Sequence, residues 1–340
     1  MSRQPDFDQF LKVLTRQGTP THLPFYEHIA SAGFISARLG VDYTNTRGIE
    51  RWRHFVDFWL GLGFDCIPME IPPKLRMGDS GGDGLSHESE AHAIIRNRAE
   101  FEAYEWPDLA SPIDFEPFEI VAGLLPDGVK IVGGVCAGPY EWVSQMMGVM
   151  GLSYALADDP QLVADMFDRI RQIHTSAVRQ LATMDGIGAL RQGDDLGFKT
   201  ATFLPPDRLR EWVLPIYRDM ADAAHMQGKP FILHSCGNLA EIYDDIAACG
   251  VDAKHSFEDV ILPVGDFKRQ YGNRMTPLGG LDVDLLCRGT EDQIRHYTRS
   301  VVESCFADGH YALGTGNSLT DYLPVANYLI ALDEGMQATK

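Results

Sequence analysis

Six consecutive residues, Ile232-Leu233-His234-Ser235-Cys236-Gly237, carry the sharpest chemical signal in the chain. On an extended strand, residues two apart share a face, so His234 and Cys236 point the same way. An imidazole nitrogen beside a thiolate sulfur is a ligand pair suited to zinc. Gly237-Asn238 then turns into a helix start. That sets Cys236 near a helix N-terminus, where the dipole lowers a thiol's pKa. A core histidine beside a small buried cysteine has the same spacing, and a structural zinc site needs four ligands, so the pair alone does not complete one.

Carboxylates supply the next signals. In Asp194-Asp195-Leu196-Gly197 the two acids are adjacent, so on a strand only one of them faces a given side. One can serve as a general base or a ligand-orienting group; a helix cap or a solvated loop edge explains such acids equally well. Glu258, in His255-Ser256-Phe257-Glu258-Asp259, suits a carboxylate metal ligand or a surface acid before the next helix. Cys249 and Cys305 fall on apolar helix faces and read as core. Gly314-Thr315-Gly316-Asn317-Ser318 offers amide donors without an accompanying Lys or Arg. No Walker motif and no strand-linked GxGxxG is present, so nucleotide binding has no support.

The elements that must position these groups recur along the chain. Short apolar runs fall at residues 22–28, 64–71, 129–136, 186–195, 230–237, 251–258, 275–282 and 311–318, each with room for a helix before the next. This alternation argues for parallel β/α units and a closed (β/α)8 TIM barrel as a single domain over residues 1–340. Barrel active sites lie at the C-terminal strand ends. Those ends supply Glu27, His28, Glu70, Cys136, Asp194, Asp195, His234, Cys236, His255, Glu258, Asp282 and Asn317. Glu27, His28 and Asn317 are the expected substrate-binding positions.

Helix signals fill the gaps. Asp159-Pro160 is a cap followed by a first-turn proline, and Thr290 with Gln293 forms a capping box. Asn238 with Glu241 predicts a third start, ending at Gly250. A helix from Pro206 to Gly228 should kink at Pro215, and an extra helix is expected over Tyr140–Ala157. Residues 72–112, after the second run, form an insertion rich in Gly and charge, with Gly78, Gly81, Gly82 and Gly84. That length suits a functional lid.

Composition narrows the class. The 340 residues are 45% hydrophobic and 23% charged, which is ordinary globular composition. The net charge of −19 disfavours nucleic acid, membrane surfaces and polyanionic substrates. Six cysteines are too few for a disulfide scaffold. No apolar run reaches membrane-spanning length, and residues 1–8 lack a signal-type apolar segment. A cytoplasmic setting is the expectation.

Several motifs in order resemble the uroporphyrinogen decarboxylase superfamily. They are Gly138-Pro139-Tyr140-Glu141, Asp158-Asp159-Pro160, Gly193-Asp194-Asp195-Leu196-Gly197 and Pro206 to Pro215. They continue with His234-Ser235-Cys236-Gly237, Leu278-Gly279-Gly280-Leu281-Asp282, Gly289-Thr290-Glu291 and Pro324-Val325-Ala326-Asn327. The resemblance implies the same barrel. True uroporphyrinogen decarboxylases carry an arginine-rich motif after the first strand to hold the carboxylates of their substrate. Here that stretch is Phe25-Tyr26-Glu27-His28-Ile29-Ala30-Ser31-Ala32-Gly33, without arginine, which argues against tetrapyrrole decarboxylation.

The methyltransferase branch is similar at His234 and Cys236. Its thiol-methylating members bind zinc with His-x-Cys and a later cysteine, but Gly314-Thr315-Gly316-Asn317 has none. The resemblance therefore implies zinc on His234 and Cys236, with Asp195 or Glu258 completing or orienting the site. It implies methyl transfer between a small methoxylated or methylated compound and a corrinoid. The chain has no Asp-x-His-x-x-Gly stretch, so a separate corrinoid protein must supply that cofactor. Two alternatives stand beside it: a metal-free decarboxylase using Asp194 and Asp195, and a non-catalytic binding protein.

Overall fold

The structure is a computed structural model and describes residues 4–77 and 93–339. Six parallel strands form one sheet in sequential order: β1 (Cys66–Ile71), β2 (Lys130–Val135), β3 (Ile187–Gly193), β4 (Phe231–His234), β5 (Ala253–His255) and β6 (Thr276–Leu278). Two short segments extend this sheet. Ala312 bridges to Leu278 in parallel, and Phe25 bridges in parallel to Leu313. The first and eighth expected runs are thus present as bridges rather than full strands.

The interior shows why these segments form one ring. Tyr26, Cys66, Val132, Ala189, Ile232, Ala253, Leu278 and Ala312, one from each strand position, pack together in a buried layer. The helix Phe7–Thr15 plugs this layer from below with Phe7, Phe10, Val13 and Leu14. Each large side chain buried there contributes about 1.5–3 kcal/mol. With that end sealed, the inward positions two residues further along each strand are free to carry polar groups. A larger apolar layer lies between the sheet and its outer helices.

Local signals set most helix boundaries. Asp159 accepts from the Leu162 amide at 2.9 Å and starts the helix Pro160–Thr183. Thr290 and Gln293 make both bonds of a capping box at the start of Glu291–Cys305. Three helix expectations need correction. The helix over Tyr140–Ala157 is two, Pro139–Met147 and Val149–Asp158, broken at Gly148 with φ +75°. The segment from Pro206 widens into a π-turn over Leu209–Val213 before Leu214–His225. Pro215 has no N–H to give the Glu211 carbonyl, and the Leu214 amide reaches back five residues to Leu209. Asn238 caps only a local turn, bonding the Ala240 amide, and the helix begins at Tyr243.

The insertion after β1 is pinned at its base, where Pro73 bridges Ile113 and the Lys74 amide bonds Pro112 at 2.8 Å. Its returning arm lies on the Pro139–Met147 helix through bonds from Ile94 and Ile95 to Met146. The glycines 78, 81, 82 and 84 lie outside the described residues. Among the described residues, no helix is long and apolar enough to cross a membrane.

Candidate metal centre and active-site cavity

The inward positions above the apolar layer hold Glu70, Arg191, His28, His234 and His255, all at or near strand ends. Arg191 is buried and donates to the Glu70 carboxylate and to the His28 carbonyl. Glu70 of this ion pair lines a cavity of about 250 Å³, together with His28, Cys136, Glu141, Asp195, His234 and Asn317 among others.

His234 Nε2 lies 3.6 Å from Cys236 Sγ and 3.7 Å from Asp195 Oδ1. Among the described residues, Asp195, His234 and Cys236 are the group whose potential ligand atoms all lie within 4.8 Å of one another. Asp195 is held by the Cys236 amide at 2.9 Å, while its side chain stays 42% exposed to the cavity. Asn317 Nδ2 donates to the Cys236 sulfur at 3.4 Å, and Ser256 Oγ lies 3.2 Å from it.

Electrostatics favour a neutral imidazole and a protonated thiol. Burial, then His255, Lys254 and Arg191, hold His234 well below its ordinary pKa, so the ring is uncharged, the form that ligates metal. Burial first, then the Asp195 carboxylate, push the Cys236 thiol up. A bound cation reverses that balance and yields the thiolate.

The adjacent acids diverge as alternation requires. Asp194 turns outward to the surrounding helices and accepts from the Tyr140 and Glu141 amides at 3.1 and 3.0 Å and from the Tyr217 hydroxyl at 2.7 Å. It caps the Pro139–Met147 helix, whose own N-cap residue, Gly138, offers no side chain. Gly138 is required there, since a Cβ would sit 2.0 Å from that of Asp194. Burial raises Asp194 to about 7 despite these donors. Burial, then Asp194 and Asp195, raise Glu141 well above its ordinary value. Glu141 faces the cavity in surroundings that favour its protonated form.

Two expected roles do not survive. Glu27 does not face the cavity: its buried carboxylate accepts from the Thr315 amide and hydroxyl, both at 2.6 Å. The neighbouring His28 takes the inward side, so alternation sends Glu27 outward. Glu258 is outside the ligand group. The backbone turns at Ser256, with φ +82°, and Glu258 lines separate clefts with Phe257. Asp195, on the adjacent strand end, stands where Glu258 was expected. His28 does line the cavity, its ring stacked on His234 with centroids 3.8 Å apart.

Sequence reasoning gave no role to Arg191, Glu141 or Lys254. A charge inside the apolar run Ala189-Leu190-Arg191 was the available signal for the first. Lys254 is fully buried and its ammonium donates to the Ser235, His255 and Ser256 carbonyls, tying together the loops around Cys236. Beside the cavity, a cleft of about 200 Å³ shares Ile29 and Glu70 with it and is walled by Tyr43, Arg51, Trp52, Phe55 and Trp59.

Residues 86–333 match the family described as uroporphyrinogen decarboxylase (URO-D), and the chain belongs to it. The fold is accordingly a TIM barrel, with its polar strand ends opening on the cavity. Among solved structures, the chain is similar to a methyltransferase from Methanosarcina mazei, at 18% identity and a TM-score of 0.69 over 97% of both chains. No curated protein matches the sequence.

Proposed function

We propose that this protein is a zinc-dependent methyltransferase. It moves a methyl group between a small methylated compound, a methyl ether or amine, and a corrinoid carried by a separate protein. The observation that carries this reading is the convergence of Asp195, His234 and Cys236 at the cavity wall. Nitrogen, sulfur and oxygen donors on three rigid positions fit zinc with one open site, the pattern of catalytic rather than structural zinc. The Methanosarcina mazei structure, a methyltransferase of the same fold, supports the reaction class.

His234, Cys236 and Asp195 would hold the ion, which when bound acts as a Lewis acid toward the methylated heteroatom. The remaining work falls to the chain. Asn317 and Ser256 sit against the Cys236 sulfur and temper its charge. Glu141, whose burial favours the protonated form, faces the cavity and can pass a proton to the departing oxygen or nitrogen as charge develops there. The cleft of Trp52, Phe55 and Trp59 gives the rest of the substrate an apolar seat. Phe198, Phe203, Val260 and Tyr322 are exposed on loops at the strand-end face, which suits docking of the corrinoid protein. Cytoplasmic residence is part of the same reading.

A second reading has one observation in its favour. Asp194 and Glu141 are neighbouring acids with raised pKa values, an arrangement that also serves a metal-free decarboxylase acting on a small carboxylate. One experiment separates the two. The zinc-loaded protein is offered a panel of methyl ethers, methylamines and small carboxylic acids, with free cob(I)alamin as acceptor. Methylcobalamin formation that a chelator abolishes is the expected result. Chelator-insensitive release of carbon dioxide, without methylcobalamin, overturns the proposal in favour of the decarboxylase.

A further inference from the structure

His234 has two ring nitrogens, and only one can face the Asp195 and Cys236 ligand atoms. Nε2 does so, while Nδ1 lies 2.7 Å from Nδ1 of His255. Two nitrogens at that distance need one proton between them. Which ring carries it follows from the far side of His255. There Nε2 lies 3.1 Å from the Thr315 carbonyl oxygen, which can only accept. His255 Nε2 therefore bears a hydrogen. Both rings are buried, which disfavours a second proton on either. His255 Nδ1 is then a lone pair, His234 Nδ1 is the donor, and His234 Nε2 is left unprotonated toward the ligand group.

The chain of constraints extends one residue further. The Thr315 carbonyl is aimed because the amide and hydroxyl of the same residue are both held by the Glu27 carboxylate, at 2.6 Å each. The opposite face of His234 is covered by the stacked His28 ring, inclined by 12°, which resists rotation of the imidazole. His234 is thus held in both orientation and tautomer before any ligand arrives.

We infer that Glu27, Thr315 and His255 form a buried relay of positioning residues that locks His234 in the Nδ1–H tautomer and aims its bare Nε2 at a divalent cation. The inference rests on the metal site proposed above and adds what prepares it. A metal-ligating histidine whose second nitrogen is fixed by a partner binds more tightly, and loss of such a partner costs about 10–100-fold in affinity.

The test begins with metal-free protein carrying 15N-labelled histidine, observed at neutral pH by long-range 1H–15N correlation. Expected are His234 protonated at Nδ1 and His255 at Nε2. A His234 found as the Nε2–H form, or either ring found as an imidazolium, overturns the relay. Variants sharpen the result. His255→Phe removes the acceptor and should shift His234 toward Nε2–H, lowering zinc affinity by about 10–100-fold. His255→Asn places an amide oxygen near the former Nδ1 and should restore both tautomer and affinity. Unchanged tautomer and zinc affinity in a folded His255→Phe protein also overturn the relay. If that variant does not fold, the wild-type spectrum decides alone. The two proposals fail separately: the expected tautomers in a protein that takes up no zinc sink the metal site and leave the relay, whereas zinc uptake with the opposite tautomer does the reverse.

Discussion

Two layers of the barrel interior lie two residues apart on the same strands and do different work. The lower layer, with Tyr26, Val132, Ile232 and Ala253, is apolar and sealed by the Phe7–Thr15 helix. The upper layer, with His28, Arg191, His234 and His255, is polar, and His28 and His234 line the cavity. Ile232 and His234 share one strand and one inward face, yet the first packs in the apolar layer and the second lines the cavity. The difference shows how a barrel separates its functions by depth: stability is held near the plugged end, and costly polar groups are concentrated where the strands end.

Substitutions in each layer should therefore fail in different ways. The largest expected effect is on turnover. His234→Ala or Cys236→Ala should lower methyl transfer by about 10³-fold, as loss of a principal charge-stabilising group does, while the melting temperature changes little. Ile232→Ala should do the opposite, costing about 2–5 kcal/mol of stability in denaturant titrations with zinc content per folded chain unchanged. If Ile232→Ala removed zinc without destabilising the chain, the separation by depth would fail.

Asp195→Asn probes the boundary between the layers' roles. It should weaken zinc binding by more than the roughly 10–100-fold that outer-shell changes cost, measured by competition with a chelator. Asp194→Asn should instead destabilise the Pro139–Met147 helix by about 1 kcal/mol, the worth of a cap, and leave zinc affinity in place.

The smallest effect is a change in curvature. Burial raises Glu27 from 4.5 to about 8, so the folded chain keeps a proton that the unfolded chain releases. Between those pH values the folded state binds more protons, and stability conferred by this group falls as pH rises through them. The difference in unfolding free energy between wild type and Glu27→Gln should shift against wild type from pH 5 to pH 8. A difference that stays constant would show that Glu27 does not titrate in this range.

The sequence exposed some of this arrangement and hid the rest for physical reasons. Apolar runs marked every strand position, because a buried parallel strand must be apolar along most of its length. Asp159 and Thr290 marked helix starts because their partners are local. Asn238 misled because its amide is engaged by the Phe198 carbonyl of the neighbouring loop at 2.9 Å, and Gly237 lies so close to Gly197 that a Cβ would meet its backbone at 2.1 Å. That tertiary contact delays the helix to Tyr243.

At the site, His234 and Cys236 were legible from a spacing of two. Which of Asp195 and Glu258 joins them was not, since that depends on the register of β3 beside β4 and on the turn at Ser256. Glu27 and His28 looked alike as strand-end residues, and only the parity of the inward face distinguishes them. The partnership of Glu27 with Thr315 spans 288 positions of sequence and leaves no local trace.

Metal analysis of freshly purified protein bears most directly on the three-residue grip. The account predicts close to one zinc per chain in the wild type and almost none in the His234→Ala, Cys236→Ala double variant. A wild-type protein that transfers methyl groups while holding no stoichiometric metal, or a double variant that retains its zinc, would contradict it.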